Sequence, residues 1–326
     1  MNRIMECVPN FSEGRDKNVI HQIADAIASV NGVKVLNIDA GEAANRTVIT
    51  FAGEPEAVSE AAFLGAKAAS ELIDMRHHHG THPRIGATDV LPFVPVRGIT
   101  LHECAEMARQ LGRRMADELG IPVYLYEAAA LRPKFRNLAV CRAGEYEGIA
   151  QKIATPGEEP DYMPPSSMVN GQCSTLNAQC SMFNVQWLTS GCSVVGARDF
   201  LIAVNFNLDT KSVAVATDIA REIRERGYQG RPGTLKCVKA IGWYIEEYGF
   251  AQVSCNLTNY HVTSLLQTFQ EVSRVALLHG VHVTGTEIIG LVPEDALPPD
   301  PVRTLGLDQL RPFRLEEKVL EFTINN

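Results

Sequence analysis

None of the eight cysteines, at positions 7, 104, 141, 173, 180, 192, 237 and 255, stands in a C-x-x-C pair. Zinc ribbons and thioredoxin-like motifs therefore have no support. No apolar run reaches the ~18 residues that a membrane-spanning helix needs. The opening stretch, MNRIMECVPNFSEGRD, has no apolar segment followed by a cleavage site, so no signal peptide is expected. Scattered thiols without an export signal point to a reducing cytoplasm. A Gly-rich phosphate loop, G-x-S-x-G, a dinucleotide fingerprint and H-E-x-x-H are all missing. Basic residues are in deficit: Lys+Arg is 30 against Asp+Glu 38, a formal net charge of −8. That balance argues against nucleic acid or an anionic membrane as partner and leaves small molecules. With Gly 25 and Pro 17, collagen-like and low-complexity character are excluded.

What remains is an ordinary globular mixture, 45% hydrophobic and 21% charged, in 326 residues. That length suits two domains or one large α/β unit. Ile4 to Pro9 reads as a strand, and Val19, Ile20, Ile23 and Ile27 then recur at helical spacing. Strands are expected at 33–38 and 47–51, and a helix opens at Glu54-Pro55. The loop RHHHGTHPRIG leads to an apolar strand at 90–96. Thr100 and Glu103 form a capping box for a helix that Gly120 stops, and 123–126 reads as one more strand. Residues 132–186 are weakly patterned and Pro-containing, and read as a linker with an irregular insertion near 163–190.

From Phe200 the pattern restarts. Strands at 200–206, 235–243, 251–257 and within 281–291 alternate with two helical stripes. Each half thus reads βαββαβ. Val8-Pro9-Asn10-Phe11 echoes Val204-Asn205-Phe206-Asn207, and Gly86-Ala87-Thr88-Asp89 echoes Gly285-Thr286-Glu287. The expected fold is α/β (α+β): two ferredoxin-like βαββαβ subdomains, 1–185 and 186–326, related by duplication, with a cleft between them as the site. Chance likeness of two α/β domains is the alternative.

His77, His78, His79 and His82 crowd one loop. Alternation on an extended chain lets at most two of the triple share a face, and Gly80 and Pro83 oppose a helix. His77 to His79 are therefore expected as a solvated loop, with no metal. His82 differs, since Pro83 holds it extended and Gly80 and Gly86 permit close approach of a ligand. An imidazole there can take and return a proton near neutrality. Around it, at strand ends, stand Asn10, Ser12, Asp39, Asn45, Arg46, Arg84 and Asp89. Turn chemistry explains any one of them. Their concentration beside the His82 loop points to a substrate-binding site. Arg132, Lys134, Arg136, Lys236, Lys239, Arg311 and Arg314 offer a further basic patch or simply a solvated face.

Several stretches carry a resemblance. ECVPNFSEG at 6–14, DAG at 39–41, NRT at 45–47, GTHPRIGATDVLPFVPV at 80–96, GIPVYLYE at 120–127 and RAGEYEG at 142–148 resemble the formiminotransferase family. GARDFLIAVNFNL at 196–208, IGWYIEE at 241–247 and LVP at 291–293 do too. The resemblance spans nearly the whole chain and extends to the transferase half of bifunctional formiminotransferase-cyclodeaminases. It implies transfer of a formimino group between 5-formiminotetrahydrofolate and L-glutamate, in histidine degradation. Tetrahydrofolate is then a co-substrate, and no metal is expected. His82, in H-P-R, is implied as the catalytic acid/base. An anionic neighbour, Asp39 or Asp89, would orient it, and Arg46 or Arg84 would hold the glutamate carboxylate. The folate-contacting stretch is implied to follow Pro160-Asp161-Tyr162, taking in Met163, Pro164, Pro165, Ser166, Ser167 and Gly191. The family pattern lacks the segment near 166–190 found here. A homo-oligomer is expected and, since no cyclodeaminase half follows, a separate cyclodeaminase. Formyl exchange between N-formylglutamate and folate, or folate binding without catalysis, are the other readings.

Overall fold

The computed structural model describes residues 3–165, 189–307 and 313–325. The chain divides into two units, Met1–Arg198 and Asp199–Asn326.

In the first unit, β1 (Ile4–Cys7) and β2 (Asn10–Phe11) lie in line, and α1 (Lys17–Ala28) follows. Then come β3 (Val33–Gly41), β4 (Arg46–Gly53), α2 (Pro55–Leu72), β5 (Thr88–Arg97), α3 (Leu101–Leu119) and β6 (Val123–Glu127). Two short helices, α4 (Leu138–Cys141) and α5 (Ile149–Ala154), precede β7 (Ser193–Ala197). β1 and β2 pair antiparallel with β4 on one side and β5 on the other, and β3 flanks β4. Beyond β5 the sheet continues through β7, parallel to it, to β6 at the edge.

Local chemistry sets the helix ends. The Asp16 carboxylate accepts from the backbone of Asn18 and Val19 at the start of α1. Pro55 opens α2, where its missing N–H costs no hydrogen bond. The capping box expected at Thr100 and Glu103 is present on α3, and Gly120 caps its end in the left-handed region. Ile23, Ile27, Val58, Ala62, Cys104 and Leu111 then bury against Met5, Cys7, Ile49, Phe51, Leu91 and Phe93 on one face of the sheet. At roughly 1.5–3 kcal/mol per large side chain, this layer fixes which face the strands give to the helices. The other face carries a second, smaller core where β5, β6 and β7 meet α4 and α5 through Val90, Tyr124, Phe135, Cys141 and Val194.

The second unit contains β8 (Ile202–Leu208), α6 (Val213–Ile223), β9 (Val238–Ile245), β10 (Phe250–Leu257), α7 (Leu265–Leu278) and β11 (Val283–Ile289). Its sheet is antiparallel in the order β11-β8-β10-β9. Each unit therefore sets the first strand of its βαββαβ run between the third and fourth. Among the described residues no helix is long and apolar enough to cross a membrane.

Two expectations need correction. The division falls after Arg198 rather than at 185/186, because β7 hydrogen-bonds between β5 and β6 and so belongs to the first sheet. Residues 132–154 are not a linker: Phe135, Cys141 and Ile149 are buried and roof part of that sheet. The segment at 166–188 lies outside the described residues.

Candidate active site

Two irregularities in pairing build a polar patch on the sheet face turned away from the long helices. Directly opposed residues in an antiparallel pair share a face. Val35 stands opposite Phe51, a core residue, yet Asn37 stands opposite Thr50, so Leu36 is an extra residue in β3. Without it, strict alternation would send Asn37 and Asp39 after Val33 and Val35 toward the helices. With it, Asn37 and Asp39 share the opposite face with Thr50 and Val48. Val48 is also opposite Asn10, so Asp39 and Asn10 flank it in one row. On the other side of β2, Asn10 faces Val90 and Phe11 faces Thr88, which leaves Asp89 as the extra residue of β5.

Freed from the ladder, Asp89 becomes the hub of a buried network. Its side chain has no exposed surface. Arg46 Nη1 donates to Oδ2 at 2.5 Å, and Arg142 donates through Nη2 to Oδ2 at 2.5 Å and through Nε to Oδ1 at 3.1 Å. The backbone N–H of Ile85 donates to Oδ1 at 2.9 Å. Arg46 Nε donates to Asn10 Oδ1 at 2.9 Å, and Asn10 Nδ2 donates to the Val8 carbonyl at 3.0 Å. Burial by itself would raise the Asp89 pKa, but the guanidiniums of Arg142 and Arg46 outweigh it and hold the carboxyl at about 2. Burial and the nearby Arg142 together pull Arg46 down to about 10, against the opposing attraction of Asp89.

His82 sits part-buried beside this cluster. Its Nδ1 lies 2.7 Å from the Pro83 carbonyl oxygen, which can only accept. The neutral ring thus carries its proton on Nδ1 and its lone pair on Nε2. Desolvation, followed by the positive charges of Arg46 and Arg142, pushes the His82 pKa well below 6.5, while Asp89 and the Pro83 carbonyl oppose the shift. At neutral pH this imidazole is an uncharged base.

Of the expected site residues, Asn10, Arg46, Asp89 and His82 gather in one place, with Asp39 on the same face. Two take other roles. Arg84 forms a bidentate pair with Glu147 at 2.7 and 2.8 Å and also donates to Glu145 at 3.1 Å, so its fork is committed within the protein. Asn45, in the left-handed region at φ 46, accepts from Gly14 N at 2.9 Å and donates to the His79 carbonyl at 3.0 Å, fastening two loops. The histidine triple is not uniformly solvated. His77 and His79 are exposed, but His78 is buried, its Nε2 2.8 Å from the Asn45 carbonyl and its Nδ1 accepting from Arg84 at 3.2 Å. Gly80 and Gly86 do give close approach, though to the chain itself: a Cβ there would meet Ala44 O at 2.2 Å and Cys192 O at 2.1 Å.

The expected folate-contacting residues separate. Gly191, with φ +71, packs against Ile85 and Gly86, and the Cys192 N–H donates to the Ile85 carbonyl at 3.0 Å. It therefore borders the His82–Asp89 loop. Tyr162 bridges to Val123 on edge strand β6, so Met163, Pro164 and Pro165 leave the sheet there, with β6 and β7 between them and β5. Ser166 and Ser167 lie outside the described residues.

Sequence reasoning missed Arg142 as a site residue. It lies 53 positions from Asp89, beyond a four-residue helix without periodicity, and only its place in RAGEYEG marked it. It also missed Asn37 Nδ2 and Thr50 Oγ1, buried polar atoms on the same face that have no hydrogen-bond partner among the described residues. Such orphans are rare because each costs about 1–3 kcal/mol.

The family model for the formiminotransferase domain, N-terminal subdomain, matches residues 4–175, and that for the formiminotransferase domain matches 203–298. A glutamate formimidoyltransferase of Streptococcus pyogenes is 42% identical, covering 91% of each chain. One of Thermoplasma acidophilum is 42% identical over 90% of this chain and 89% of its own. The formimidoyltransferase-cyclodeaminase of Sus scrofa is 42% identical over 99% of this chain, which spans 60% of the length of that relative.

Proposed function

The chain belongs to the formiminotransferase family, and we propose on that footing that it is a glutamate formimidoyltransferase. It exchanges a formimino group between N-formimino-L-glutamate and tetrahydrofolate, the co-substrate, in the cytoplasmic breakdown of histidine. The reaction needs one group that takes a proton from the attacking nitrogen and returns one to the leaving nitrogen. The observation that carries the reading is His82: an imidazole kept neutral by desolvation and two guanidiniums, with Nδ1 tied to the Pro83 carbonyl.

His82 Nε2 accepts the proton of the amine as its nitrogen bonds to the amidine carbon. The resulting imidazolium, with Asp89 nearby, then donates to the nitrogen that departs as the carbon–nitrogen bond of the tetrahedral intermediate breaks. The proton count closes, and no outside oxidant or metal enters. General acid–base assistance of this kind contributes roughly 10²–10⁴-fold, and alignment of the two substrates supplies much of the rest. Asp39 and Asn10 offer polar contacts along the same face. The unpartnered donor on Asn37 and the hydroxyl of Thr50 suit a heterocycle bearing both donors and acceptors.

The test is incubation with tetrahydrofolate and N-formimino-L-glutamate, following the new folate species by absorbance, beside a parallel reaction with N-formylglutamate. His82→Ala is expected to lower kcat by about 10²–10⁴-fold. Turnover at the wild-type rate in that variant refutes the role of His82. Activity on the formyl donor alone refutes the formimino assignment.

A further inference from the structure

The segment Arg142–Gly148 grips the His82 loop from outside at two points. At one, Arg142 engages both oxygens of Asp89, and Asp89 in turn receives the N–H of Ile85. At the other, the Tyr146 N–H donates to the Arg84 carbonyl at 3.0 Å, while Glu145 and Glu147 hold the Arg84 side chain. His82 and Pro83 immediately precede the gripped stretch Arg84–Ile85. The segment pays for its shape with two left-handed residues, Gly144 at φ 87 and Glu145 at φ 52. A non-glycine residue holds that conformation only when its surroundings over-determine it. The Arg142 side chain is only 13% exposed, and among the described residues its charge-assisted bonds go to Asp89 alone.

We infer that Arg142 is a positioning residue: through Asp89 and the Ile85 amide it holds the loop that presents His82, and it does not itself grip substrate. The inference rests on the reaction proposed above. The two guanidiniums divide the work. Arg46 ties Asp89 to Asn10 and the sheet, whereas Arg142 ties it to the segment that also anchors Arg84. The charged groups whose fields reach the His82 imidazole are Arg46 from β4, Arg142 from behind α4 and Asp89 from β5. Removing Arg142 therefore loosens the loop and strips one positive charge from the imidazole together.

The experiment uses the full chain with ¹³C-labelled histidine, the His82 signal being assigned by its loss in His82→Gln. Wild type, Arg142→Met and Arg142→Lys are titrated by NMR, and kcat and KM for both substrates are measured across the mildly acid and neutral range. In Arg142→Met, kcat is expected to fall by about 10²-fold, the effect of displacing a catalytic group by about 1 Å. Both KM values should stay within about twofold, and the His82 titration should move up toward 6.5. Arg142→Lys keeps the charge but cannot make the two-pronged contact. It should lose part of kcat while its His82 titration stays at the wild-type position. A raised KM with kcat preserved would show that Arg142 holds substrate, and wild-type kcat and titration in a merely less stable Arg142→Met would reduce it to scaffolding; either result overturns the inference. If Arg142→Met does not fold, Arg142→Lys decides by the same readouts. If wild type itself turns over no substrate, the proposed reaction fails, and the NMR titrations still report separately whether Arg142 governs His82.

Discussion

Replacing Asp89 by Asn changes one buried atom type and tests the network at its hub. In the native protein the carboxylate accepts from Arg46, Arg142 and the Ile85 amide, and it has no exposed surface. The Asn side chain keeps the shape but turns one acceptor oxygen into an N–H donor that faces other donors. It also leaves two guanidiniums buried side by side without a counter-charge. Breaking a buried pair by removing one partner costs about 3–5 kcal/mol. Proton linkage gives a second measure. The Asp89 pKa is lowered from 3.8 to about 2. At about 1.4 kcal/mol per unit, that difference contributes roughly 2–3 kcal/mol. Because the folded value lies below the unfolded one, this contribution is fully present above 3.8 and is lost as pH falls from there through about 2.

Urea unfolding followed by far-UV circular dichroism, at neutral pH and near pH 3, reads both effects. At neutral pH Asp89→Asn should unfold at markedly lower urea with an unchanged slope, corresponding to about 3–5 kcal/mol. Near pH 3 the gap should close by about 1 kcal/mol, as protonation of the unfolded chain removes part of the wild-type advantage. Equal midpoints at neutral pH would sink the claim that this carboxylate balances the two arginines. A gap that stays constant into acid would mean that its ionisation is not what matters.

Three further outcomes follow from the same geometry. The acid limb of kcat/KM should lie below 6.5, since desolvation and the arginines keep His82 unprotonated there; a midpoint at or above 6.5 contradicts the neutral base. Thr50→Val removes an unpartnered hydroxyl at nearly constant volume, so thermal stability should hold or rise by up to about 1 kcal/mol, while KM for one of the two substrates increases; an unchanged KM for both would leave that hydroxyl without a binding role. Gly191→Ala puts a Cβ 2.4 Å from the Ile85 carbonyl at a residue with φ +71, so it should cost more than about 1 kcal/mol of stability, read as a lower melting temperature, and depress kcat through the Ile85–Asp89 contact. A variant that melts and turns over like wild type would refute that coupling.

Much of the scaffold was legible because periodicity and caps carry it. The stripe Ile20, Ile23, Ile27 is the buried face of α1, and the Thr100–Glu103 box and Gly120 bound α3 as expected. Both βαββαβ runs could be read from alternating strand and helix patterns. What escaped was brief or remote. β7 has five residues and inserts between strands that precede it by far in sequence, so its membership depends on pairing partners that a local pattern cannot name. α4 and α5, of four and six residues, are too short to show a period. The candidate site divides the same way. His82 stood out because Pro83 and two glycines mark its loop, whereas Arg84, its equal in sequence, is turned inward by Glu145 and Glu147, more than sixty positions away.

The deeper reason lies in the two extra residues, Leu36 and Asp89. Alternation is the rule by which a strand's inward and outward residues are assigned, and a single inserted residue reverses it for everything that follows. Applied without interruption, it puts Asn37 and Asp39 on the helix side of β3, where they would be buried polar groups against Ile and Phe. It likewise gives Asp89 the parity of Leu91 and Phe93, which are core. No fold tolerates three such groups there at about 1–3 kcal/mol or more apiece. The contradiction is itself informative: where acidic or amide side chains fall on the apolar parity of a strand, either the strand ends or it bulges. Here it bulges at both places, and both bulges turn polar groups toward the face that Asn10 and Arg46 already occupy. Polar residues out of step with an otherwise apolar strand thus mark the site as clearly as the histidine does, once they are read as departures from alternation rather than as turns.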